Sequence, residues 1–227
     1  MSRDGRPPKE EPVGTHPSGA TSTRLRGDAR QNRDQILQAA RQQFSWYGFD
    51  VAMQDVARAA RVGVGTLYRR FPNREELVSA VVLDSLELAM DRIREARATE
   101  ADAWSVLERV MAEAAALQLA IDATLHGAGS RAELQSPEVL AGRRRLLDLF
   151  EEIVHEARSE GALRPDVGVG DVAMAVAMLA GVRPSTLPQG AHRRLLAMLM
   201  AGLRADGTPV ALPGEPVTRD DYETRGR

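Results

Sequence analysis

Between Gly48 and Pro72 the chain leaves room for two short helices and a tight turn, and little else. The first helix, about 53–60, gathers Val56, Ala57 and Ala60 on one side. Gly63 marks a turn of three residues, and the second helix runs over about 64–71. Pro72 ends it, because proline lacks the amide hydrogen that a helix interior needs. Projected at about 100° per residue, Leu67 and Phe71 fall together and can lock onto Val56 and Ala60. Gly65 and Arg69 fall opposite, with Thr66 and Tyr68 flanking them and Arg70 at the margin. The pattern is that of a helix-turn-helix.

The flanking segments are helical as well. Ile36, Ala39, Ala40, Phe44 and Tyr47 form a stripe on a helix expected over about 28–47, stopped by Gly48. Asn73 is a good N-cap for a fourth helix, and Glu76 three residues later completes a capping box. Leu77, Val81 and Leu88 carry that helix towards Arg97. Beyond Thr99 longer helices are expected at about 101–121, 123–130, 137–161, 169–182 and 189–205, punctuated by Pro137, Gly161, Pro165, Gly168, Pro184 and Pro188. β-branched alternation is scarce and no internal repeat stands out. The expected fold is all-α: a helix-turn-helix head over 28–82, joined through the fourth helix to a helical body over 83–206. Residues 1–27 read as a disordered basic arm and 207–227 as a disordered tail, both being rich in small, polar and proline residues.

Composition narrows the function. With 43% apolar residues in 227, the chain can bury a sizeable core. Its most apolar window, 172–182, falls short of the ~18–20 uninterrupted apolar residues of a membrane span. The first 27 residues have no apolar centre of the signal-peptide kind, so a cytoplasmic protein without a membrane partner is expected. The absence of cysteine excludes disulfides, thiol nucleophiles and cysteine zinc sites. His16, His126, His155 and His192 never stand at metal-ligand spacing, so neither a metal nor a cofactor is expected. Gly63-Val64-Gly65 fails as a dinucleotide loop: helix precedes it, and the third glycine position holds Tyr68.

Charge points to nucleic acid. The net charge is −2, yet residues 1–78 hold 13 basic and 9 acidic side chains against 17 and 23 in the remainder. The outward face of the 64–71 helix suits a major groove ~12 Å wide, since seven residues span ~10 Å. Arg69 and Arg70 can pair with guanine edges or grip phosphate. Thr66 and Tyr68 can donate to phosphate oxygens, and Gly65 lets the backbone approach DNA closely. Arg74 beside the start of the fourth helix makes a phosphate site. Gln54 on the first short helix and Arg30 on the basic arm, with Arg24, Arg26 and Arg33, add candidate contacts.

Ile36-Leu37-x-Ala39-Ala40-x-x-x-Phe44-x-x-x-Gly48, Asp55-Val56-Ala57-x-x-Ala60 and Gly65-Thr66-Leu67-Tyr68-x-x-Phe71, followed by Arg74-x-x-Leu77-x-x-Ala80, resemble the tetracycline-repressor (TetR) family. The matching residues cover about 33–82. The resemblance implies a transcription regulator rather than an enzyme. It would be a repressor binding a palindromic site on double-stranded DNA as a homodimer, with a C-terminal domain that dimerises and takes a small hydrophobic ligand. It implies Val64–Arg70 as recognition helix, with Val64, Gly65, Thr66 and Arg69 at the groove and Tyr68, Arg70 and Arg74 on phosphates. Three positions depart from the family pattern: Arg61 stands where glycine is usual, Gly63 where serine or a similar cap is, and Ala52 where threonine caps the first short helix. Gly63 is expected to take up the backbone of the turn.

In the body, residues 172–182 and 195–203 carry a methionine-rich strip of Met174, Met178, Met198 and Met200, read as a dimer interface with Leu195 and Leu199. Met111, Leu119, Leu125, Leu147 and Phe150 are the candidate pocket lining. The alternative is an adaptor, or an enzyme working from the body with the head not used for DNA. Glu108, Glu113, Asp122, His126 and His155 show no spacing that brings a nucleophile and a base together.

Overall fold

The structure, a computed structural model, describes residues 18–47, 49–113, 136–181, 191–206 and 212–224. Within them the chain is helical, as expected: α1 (Ser18–Tyr47), α2 (Met53–Ala59), α3 (Val64–Arg70), α4 (Arg74–Thr99), α5 (Ala103–Ala112), α6 (Pro137–Ser159), α7 (Val169–Gly181), α8 (Ala191–Leu203) and α9 (Arg219–Thr224). Side-chain caps start three of the long helices. Asn73 accepts from the Glu76 amide, Asp102 from that of Ser105, and Ser136 from that of Val139 ahead of a proline at the first helical turn.

α4 is the spine. Leu77, Val78, Val81 and Val82 along its first half are buried where α1 packs, and Met90, Ile93 and Ala96 along its second half where α5 and α6 pack. One buried cluster runs from Ile36 in the head to Met200 in the body, so the two halves share a core rather than meeting across a polar seam. Ser85 in mid-helix is buried and satisfies its hydroxyl on the Val81 carbonyl one turn back.

At the far end of the body the chain after α6 pairs with the end of α8. Arg164 N donates to the Leu203 carbonyl and Ala205 N to that of Ala162, forming an isolated antiparallel bridge. Both segments read Leu-Arg-x-Asp, a short echo within a chain that shows no longer repeat. In each the arginine holds the aspartate two residues on through a two-pronged pair: Arg164 with Asp166 at 2.7 and 2.9 Å, Arg204 with Asp206 at the same two distances. Arg204 also lies over the Trp104 ring, 5.0 Å from its centroid.

Two expectations about the termini are corrected. α1 begins at Ser18, ten residues ahead of the expected start, because extending an established helix backwards adds one hydrogen bond per residue without a new nucleus. Residues 212–224 are not a loose tail. They dock on the body and end in α9, because Val217 finds room beside two glycines and Arg219 finds carboxylates on α6. The helix expected at 123–130 lies outside the described residues.

Candidate nucleic-acid interface

α2 and α3 lie where expected. Val56, Ala57, Ala60, Leu67 and Phe71 are buried together, so α3 is pinned on α2 by one face and keeps the other for solvent. α2 closes with a Schellman motif. Val62 N donates to the Ala57 carbonyl and Arg61 N to that of Arg58, which puts the earlier of these two donors in the left-handed region. That residue is Arg61, with φ 55°. Gly63 was expected to take up the turn, but its φ of −66° and ψ of 142° are ordinary extended values that any residue adopts. The turn therefore survives on a strained arginine, because the 6→1 hydrogen bond fixes the left-handed site two residues before the glycine. Neither Ala52 nor Gly63 supplies a side-chain cap to the helix it precedes.

On the outward face of α3, Val64 is 40% and Tyr68 41% exposed, and Gly65, Arg69 and Arg70 are exposed with Thr66 half-buried. A Cβ built on Gly65 would meet nothing within 4 Å, so the protein itself does not need glycine there. Arg69 donates to the Thr66 hydroxyl at 3.1 Å, which holds its guanidinium along the face before any partner arrives. Gln54 is exposed on α2. Arg30 lies on α1, with its side chain outside the described residues.

Arg74 is placed differently from the expectation. Its guanidinium donates to the Phe49 carbonyl and stands 3.7 Å from Asp50, half-buried, so it braces the connection between α1 and α2. The start of α4 is already capped by Asn73, and Glu75 and Glu76 occupy its first turn, which places negative charge where a phosphate would have to sit. Arg33 on α1 lies 5.9 Å from the centroid of the Phe71 ring and lines, with Arg70 and Asn73, a groove of about 840 Å³ between α1, α3 and α4. Arg33, already among the candidate contacts, stands one helical turn before Ile36.

In the body, Met111 and Phe150 are buried in the main core, while Leu147 belongs to a small separate cluster with Ala173 and Met174. Leu119 and Leu125 lie outside the described residues. Met178 is 68% exposed, and Met174, Leu195 and Leu199 are half-buried. Met198 is exposed, but Met200 turns into the core and leaves the expected strip, because two residues along a helix reverse the face. No described helix is long and apolar enough to cross a membrane.

Known proteins place this geometry. Bacterial regulatory proteins of the tetR family match residues 36–81, and the C-terminal domain of SbtR-like transcriptional regulators matches residues 99–205. The TetR transcription regulatory protein from Mycobacterium vanbaalenii, a crystal structure, is 32% identical, with a TM-score of 0.54 over 79% of this chain and 99% of that one. The chain belongs to the TetR family. In this TetR-family chain the two matches end and begin within α4, so that helix serves both halves. The regulator UidR from Escherichia coli is 38% identical over 72 residues, which are 31% of this chain. The chain thus spans about 37% of the length of that relative. LfrR from Mycobacterium smegmatis, solved in complex with proflavine, covers 80% of this chain with 98% of its own, at a TM-score of 0.62 and 21% identity, a likeness of fold.

Proposed function

We infer that this TetR-family chain binds double-stranded DNA as a homodimer through α3 and acts as a repressor released by a small apolar molecule. The observation that carries the reading is the outward face of α3. Two arginines, a phenol and a hydroxyl project from it beside a glycine whose missing side chain nothing in the protein fills. Arg69 and Arg70 contact base edges or phosphates, and Tyr68 and Thr66 set the register on phosphates. Val64 and Gly65 lie against the groove, and Gln54 and Arg30 flank it. Arg74 contributes by holding the connection between α1 and α2, so that α3 is presented at a fixed angle.

Self-association through Met174, Met178, Leu195 and Leu199 follows from the apolar face that α7 and α8 leave open. Two copies would place two α3 helices in successive major grooves ~34–36 Å apart. LfrR, whose fold this chain shares, is solved in complex with proflavine, which supports a small-molecule ligand here, and a ligand that prefers one arrangement of α4 shifts the population of the heads.

The test is a fluorescence-anisotropy titration against the DNA upstream of the chain's own gene, followed by selection from random sequence. It is run with scrambled competitor at two salt concentrations. Binding that resists competitor, weakens with salt and disappears in a Tyr68→Ala/Arg69→Ala/Arg70→Ala variant is expected. Enrichment of no sequence at all would end the DNA reading.

A further inference from the structure

The docked C-terminal segment touches the body at the start of α7 and at the side of α6. At the first turn of α7, Gly170 N donates to the Val217 carbonyl at 3.1 Å. The Asp171 Oδ2 atom accepts from Gly168 N at 2.7 Å, capping α7, and from Val217 N at 3.2 Å. A single carboxylate oxygen thus ties the helix start and the segment together. The approach needs two glycines. A Cβ on Gly168 would collide with the Val217 carbonyl oxygen, and one on Gly170 would stand 2.6 Å from Val217 Cγ1. The second place is α6, where Arg219 donates to Asp148 at 2.5 Å and to Glu151 at 3.0 Å. Thr218 and Asp221 cap α9 behind it.

Adjacent in sequence to these anchors are the members of a small apolar cluster separate from the main core: Leu147, next to Asp148 on α6, and Ala173 and Met174, just after Asp171 on α7. Val169, Val172, Val176 and Leu179 seat another side of α7 in the main core, so a brace near its start adds to packing already made along the rest of the helix. Met174 and Met178 lie further along the same helix.

We propose that residues 212–224 are a clamp that seats α7 on α6 and thereby sets the face through which two copies of this chain associate. The second half rests on the reading of Met174 and Met178 as a self-association surface; the first half does not. Loosening the clamp frees the start of α7, and a face that must be re-ordered on association binds its partner more weakly.

Three full-length variants test it. Arg219→Glu sets like charges against Asp148 and Glu151, Gly168→Ala displaces Val217, and Arg219→Glu/Asp148→Arg/Glu151→Arg restores the attraction with the signs exchanged. Hydrogen exchange by mass spectrometry across residues 168–180 reads the seating, and sedimentation velocity reads self-association. Arg219→Glu and Gly168→Ala should each speed exchange of the Gly170 amide by about tenfold. They should weaken self-association by about fivefold, and the charge-exchanged variant should recover both. Unchanged exchange in both single variants overturns the clamp. Faster exchange with unchanged self-association overturns its link to the face. A wild-type chain that stays monomeric at every concentration overturns that link together with the dimer reading, and the exchange result then stands on its own.

Discussion

Arg61 holds a backbone conformation that glycine would adopt freely. At φ 55° an L-residue brings its Cβ too close to the following carbonyl, at a cost of about 1–2 kcal/mol. Replacing it by glycine removes that strain but loosens the unfolded chain, which takes back about 0.4–1 kcal/mol. The two together leave Arg61→Gly more stable by about 0.5–1 kcal/mol, or about 1–4 °C in Tm for a chain of this size. Arg61→Ala separates backbone from side chain, since it removes the guanidinium and keeps the Cβ. It should stay within about 0.5 kcal/mol of the parent. Urea melts at fixed protein concentration measure both variants, with the m-value watched for constancy. A gain in Arg61→Ala equal to that in Arg61→Gly would place the cost in the side chain and refute the reasoning, as would an Arg61→Gly no more stable than the parent.

Gly65→Ala should raise the stability of the free protein by up to about 0.5 kcal/mol through helix propensity, because its Cβ meets nothing, while DNA affinity falls. Thermal melts and anisotropy titrations read the two effects, and unchanged affinity would mean that the backbone of α3 keeps its distance from DNA. Acid should loosen the far end of the body. The Ser105 amide donating to Asp102, the Arg164 guanidinium on Asp166 and the Arg204 guanidinium on Asp206 each hold a carboxyl below its usual 3.8. Their stabilisation is complete above that value and is lost as pH falls through the lowered ones. Asp166→Asn/Asp206→Asn should therefore flatten the fall in Tm between pH 4.5 and about 2.5, and an undiminished fall would assign the acid response to other groups.

The head was legible because its signals are local. Pro72 ends α3 by its own chemistry, Leu67 and Phe71 share a face by helical spacing alone, and Asn73 with Glu76 needs no partner outside one turn. What stayed hidden depends on distant residues. The direction of Arg74 is decided by a carbonyl 25 residues earlier at Phe49. The order of the tail is decided by what Gly168 and Gly170 lack, and in sequence these glycines read only as punctuation between helices. The turn is expected on Gly63, and Arg61 stands out only as a departure from the glycine usual in the family. Glycine is the natural candidate for a left-handed site, yet the hydrogen bonds that close α2 put that site at Arg61. In the methionine strip Met198 and Met200 stand two positions apart, which helical spacing puts on opposite faces, and Met200 points inward.

The unbroken run of α4 makes it a lever. Its 26 residues extend for about 39 Å, buried against α1 at one end and against α5 and α6 at the other. A rod of that length pivoting by about 5° at its body end carries its other end through about 3.4 Å, one base step of B-DNA. In a two-fold pair the displacements oppose each other, so the reading heads would drift by about two base steps, enough to miss a groove they otherwise fit. A tilt that barely disturbs the body would decide whether both heads reach their half-sites at once.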